Sequence, residues 1–92
     1  MPLNQAEFLR LLSRFEADLI ETREALYEAL TEPIAPEERM AVVQAGRRKL
    51  AEYDGMLSQL TEQQRSQASE SFDREVETIR ERVRELTKQR AP

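Results

Sequence analysis

Residues 4–31 read NQAEFLRLLSRFEADLIETREALYEALT, and this stretch decides the fold class. Phe8, Leu12, Phe15, Leu19, Thr22, Leu26 and Ala29 follow one another in alternating steps of four and three. Residues at that spacing share one helix face, because a helix turns once in about 3.6 residues. A strand would need apolar residues at every second position. Leu9, Ile20, Tyr27 and Leu30 lie beside the seam and widen it. Gly and Pro are absent from the stretch, so nothing breaks the helix. Its start is also marked. Asn4 and Glu7 have the spacing of a reciprocal capping box, and Leu3 and Phe8 make a hydrophobic staple around it.

The next segment, Glu32-Pro33-Ile34-Ala35-Pro36, is a breaker. Each proline disfavours helix at the residue before it. Pro36 suits the first position of a new helix, and Glu37 and Glu38 suit its positive end. A link this short returns the second helix antiparallel to the first. That helix, expected over 36–60, has its seam at Val43, Gly46, Leu50, Tyr53, Leu57 and Leu60, with Met40 one turn earlier. Gly46 falls on the seam, where it either allows close backbone approach or marks a weak turn. Asp54-Gly55 lies off the seam and is the expected site of a bend.

Thr61 and Gln64 again have capping-box spacing. Continuing the second seam would place Gln64, Gln67, Ser71 and Arg74 in the core. A turn, kink or frayed section is therefore expected between Leu60 and about Ser71. The third helix, expected over 62–90, carries Ala68, Phe72, Val76, Ile79, Val83 and Leu86 on a narrow seam with little else apolar. The whole chain, 1–92, then reads as one all-α domain. It is either an up-down-up three-helix bundle or a helical hairpin with a coiled-coil-like third helix.

Composition narrows the function. Of 92 residues, 35% are charged, 39% apolar and 5% aromatic. Those figures alone suit a disordered chain, and the heptad spacing is what turns the reading to helices. Cys and His are absent, which removes disulfides, thiolate and imidazole ligands, and imidazole bases. Glu21, Glu24 and Glu28 share a helix face, but di-metal bundle sites add Glu-x-x-His pairs, so this reads as a solvated acidic face. Ser58, Ser66 and Ser71 have no base near them, and the two glycines are too far apart for a phosphate loop. No catalytic residue, metal or cofactor is expected.

The net charge of −4 argues against a nucleic-acid or anionic-membrane partner. No run approaches the ~18 apolar residues of a membrane span. The first ten residues lack the basic-then-apolar pattern of a secretory leader. The lack of Cys fits the cytoplasm. The excess of Arg over Lys is associated with GC-rich bacterial genomes.

A narrow-faced helical chain without catalytic equipment points to a protein-interaction module, self-associating as a dimer and acting as a small chaperone, adaptor or inhibitor. Leu9, Ile20, Tyr27, Val42 and Met56 lie outside the main seams and are candidate contacts. Phe72, Val76, Ile79, Val83 and Leu86 are candidates if the third helix pairs between chains. The flanking Asp73, Glu75, Arg80 and Arg82 permit either direction of pairing. The alternative is a nucleic-acid-associated regulator using Arg47, Arg48 and Lys49 with the Arg-rich third helix. In size, acidity and pattern the whole chain resembles small export chaperones of flagellar and type III secretion systems, and small phage- or plasmid-encoded inhibitors. That resemblance rests on general pattern and assigns no residue a role.

Overall fold

A computed structural model describes residues 2–89. Three helices, α1 (Gln5–Thr31), α2 (Pro36–Ser58) and α3 (Glu62–Lys88), pack against one another, and no strand occurs among the described residues. The result is an all-α three-helix bundle. The expected end of the third helix at residue 90 lies outside the described residues.

Local chemistry sets the boundaries. The Asn4 side chain accepts from the Glu7 amide at 2.8 Å, and Glu7 Oε1 accepts from the Asn4 amide at 3.0 Å. These bonds satisfy amides that the first turn cannot satisfy itself. α1 stops where Glu32, ahead of Pro33, turns extended. Thr61 and Gln64 make the same reciprocal pair at the head of α3. The Arg65 side chain reaches back and donates to the carbonyls of Leu57 and Leu60, capping the negative end of α2.

Two expectations about α2 need correction. α2 ends at Ser58, not 60, and it runs as helix through Gly55 without a break. Leu60 is still buried, but from the turn that follows. The break expected between Leu60 and about Ser71 is a turn at its near edge, around Leu60 and Thr61, and α3 is helical from Glu62 onward, its expected start. The capping box starts a new helix there with a new phase, so Gln67, Ser71 and Arg74 point to solvent. Gln64 is partly buried, and its amide donates to the Leu3 carbonyl at 2.9 Å.

Contacts between helices give their directions. α3 rises with α1, since Gln64 meets Leu3 near their starts and Arg82 meets Arg23 farther along. α2 runs the other way, with Tyr53 on Phe15 and Gly46 on Leu26. The core is one column: Phe8, Phe15, Leu19 and Leu26 from α1, Val43 and Tyr53 from α2, and Phe72, Val76, Ile79 and Leu86 from α3. The rings of Phe15, Tyr53 and Phe72 meet at centroid distances of 5.6–6.4 Å. Such offset and tilted contacts suit the ring quadrupoles. The Tyr53 hydroxyl reaches the edge of the core and lies 3.2 Å from Asp73 Oδ1.

Candidate interaction surface

The third-helix candidates belong to the interior. Phe72, Val76, Ile79, Val83 and Leu86 are all buried within the monomer. α3 therefore spends its whole seam on α1 and α2, and this set offers no free surface. Two of the flanking charges, Glu75 and Arg82, follow it inward, while Asp73 and Arg80 stay exposed. Glu75 pairs with Arg23, and the Arg82 guanidinium donates to the Arg23 carbonyl at 2.9 Å while lying over the Tyr27 ring.

Leu9, Ile20 and Tyr27 are exposed, at 47%, 37% and 55%. They share one edge of α1, but at a rise of ~1.5 Å per residue they stand roughly 16 and 10 Å apart along it. Glu16 and Arg23 lie between them. They form three separate apolar points and not a continuous patch.

The basic run is also dispersed. Successive helix residues differ by about 100° in direction. Arg47 accordingly turns to α3 and donates to Thr87 Oγ1, Arg48 is exposed, and Lys49 turns to α1. The three cations do not converge on one anion or one phosphate backbone.

A long, largely apolar groove runs between α1 and α2. Its lower part is an apolar cleft of about 700 Å³ lined by Leu3, Leu11, Phe15, Gly55, Met56 and Leu60, with Glu52 and Gln59 at its rim. Its upper part is a shallower saddle of about 350 Å³ over Thr22, Ala25, Ala41, Val42 and Ala45, with Asp18, Glu21 and Lys49 beside it. Val42 is partly buried here and packs on the core. Lys49 divides the two parts. Its ammonium lies 2.7 Å from Glu52, 3.4 Å from Asp18 and 5.5 Å from the centre of the Phe15 ring. Burial works against the Lys49 charge. The hydrogen bond to Glu52 and its charge, with Asp18 adding to them, outweigh that cost and raise the Lys49 pKa.

The α2 wall of this groove is a second heptad stripe that the hydropathy pattern conceals. Val42, Ala45, Lys49, Glu52, Met56 and Gln59 step by three, four, three, four and three. Two of the six are charged, one is an alanine and one a glutamine, so they do not register as a seam. The signal was the repeat of spacing itself, offset by one residue from the core stripe at Val43.

Among the described residues no group of His, Cys, Asp or Glu is placed to hold a metal ion, and no helix is long and apolar enough to cross a membrane. Compared with known proteins, the chain matches no family model, no curated protein and no solved structure.

Proposed function

We propose that this chain is a non-enzymatic helical module that binds protein, and that the α1/α2 groove is its binding face. The supporting observation is the groove's composition. A partly open apolar cleft around Phe15 and Met56 continues into a saddle of small side chains at Ala25, Ala41 and Ala45. Cleft and saddle together suit the large and small residues of an amphipathic helix laid along them. The α1/α3 side carries a cleft of about 460 Å³ too, but Arg23, Glu24, Glu28, Arg74, Glu75 and Arg82 line it, so its walls are charged, and the α2/α3 side is crossed by the Tyr53–Asp73 contact. An adaptor or chaperone acting in this way needs no catalytic group. Its affinity comes from a few buried anchors, with the charged rim setting partner choice.

Site-specific photocrosslinking in cells tests the reading. A photoreactive residue at Met56 or Ala45 gives discrete protein adducts, and the same residue at Glu77, on the exposed face of α3, gives none. Absence of adducts at both groove positions, or equal labelling from Glu77, overturns the proposal.

A further inference from the structure

We infer that the occupant of the α1/α2 groove is a second copy of this chain, laid antiparallel across it. The inference rests on the protein-binding reading above and names its partner.

The α2 stripe is complementary to itself in one direction only. Turn a second α2 end for end about the midpoint between Lys49 and Glu52. Lys49 of each copy then meets Glu52 of the other. Ala45 meets Met56, and Val42 meets Gln59. Charge faces opposite charge, and the largest apolar side chain of the stripe faces the smallest. The two members of each pair lie equally far from the midpoint, as a two-fold axis requires. A parallel copy would set Lys49 on Lys49 and Glu52 on Glu52, which is repulsive.

α1 obeys the same axis. Lys49 reaches Asp18, so the midpoint of the α2 stripe lies near the level of Asp18 on α1. On α1, Arg14 lies one heptad below Glu21, which lines the groove, while Glu24 and Glu28 turn to the α1/α3 side. Turning the second copy end for end brings Arg14 of each α1 towards Glu21 of the other. Within the monomer Glu52 and Asp18 are about half exposed, at 48% and 51% of their side chains, so both can take a second cation. The assembly is two α1/α2 hairpins face to face, with each α3 on the outside.

Charge exchange tests this, read by light scattering after size exclusion, with circular dichroism to confirm folding. The native chain runs at twice 10.7 kDa. Lys49→Glu and Glu52→Lys each weaken the dimer roughly tenfold or more, because both symmetry-related pairs become repulsive. An equal mixture of the two variants regains the dimer, as does the double exchange K49E/E52K. If Lys49→Glu fails to fold, Ala45→Glu carries the test, since this exposed position accepts a good helix former and still blocks Met56 of the second copy. A native chain that stays monomeric near millimolar concentration, single variants that dimerise as well as the native chain, or a mixture that stays monomeric each overturns the inference. A monomer whose Met56 still crosslinks to a different protein overturns the second copy alone. A monomer with no groove adduct overturns the protein-binding reading as well.

Discussion

Gly46 of α2 and Val83 of α3 approach so closely that a Cβ on Gly46 would lie 2.6 Å from Val83 Cγ2. No real Cβ tolerates that distance, so the missing side chain is what brings the two helices together here. A mid-helix glycine costs about 1 kcal/mol relative to alanine. Overpacking a core costs ~1–3 kcal/mol. Val83 is β-branched, and in a helix its χ1 has little freedom to swing aside. Overpacking therefore wins, and Gly46→Ala lowers stability by about 1 kcal/mol. Urea unfolding measures this. In G46A/V83A the clash is gone, so the double variant is more stable than the two single losses added together.

Gly55 gives the opposite result. It lies in the same helix, it has no positive φ, and a Cβ built there meets nothing within 4 Å. Gly55→Ala gains helix propensity at no steric cost and raises stability by ~0.5–1 kcal/mol. A lower urea midpoint for Gly55→Ala would mean that α2 does not run through this position as helix.

Two isoleucines separate core from surface. Ile79 is fully buried and Ile20 is 37% exposed. Ile79→Ala removes methyl groups that the surroundings cannot replace and costs ~2–5 kcal/mol. Ile20→Ala costs less than about 1 kcal/mol. Because Ile79 packs within one chain, its loss does not depend on protein concentration. A loss that grows on dilution would place α3 between chains instead.

The parts of the fold that were legible are those set by neighbours in sequence. The Asn4–Glu7 and Thr61–Gln64 boxes, the Pro33 break and the α1 seam each need only a few adjacent residues. The close approach at Gly46 was one of two readings open to a glycine on a seam, the other being a weak turn, and Val83 on a different helix decides between them. The misread parts depend on distant residues. Leu60 continues the α2 spacing, yet it is buried from a turn that Arg65 caps. Gln64 looked too polar for an inner position until the Leu3 carbonyl, far away in the chain, supplied its partner. The groove was hidden for a related reason. Alanines and a charged pair on α2 carry no hydropathy signal, and they become a surface feature only when α1 lies beside them.

Alkaline pH should loosen the bundle through Tyr53 and Lys49. Burial raises the Tyr53 pKa above its ordinary 10.0; a hydrogen bond with Ser69 opposes the rise, and the Asp73 charge adds to it. The Lys49 pKa lies above its ordinary 10.5, because Glu52 and Asp18 outweigh the effect of burial. In both cases the folded chain holds its proton more tightly than the unfolded chain does. The stability gained is complete below the unfolded values and is lost as pH rises through the folded ones. Urea midpoints should therefore hold steady from about pH 7 to 9 and fall above about pH 10. Tyr53→Phe keeps the ring stack on Phe15 and Phe72 but cannot ionise, so its midpoint falls less over the same range. An equal fall for the native chain and Tyr53→Phe would remove Tyr53 from the account and leave the alkaline loss to Lys49.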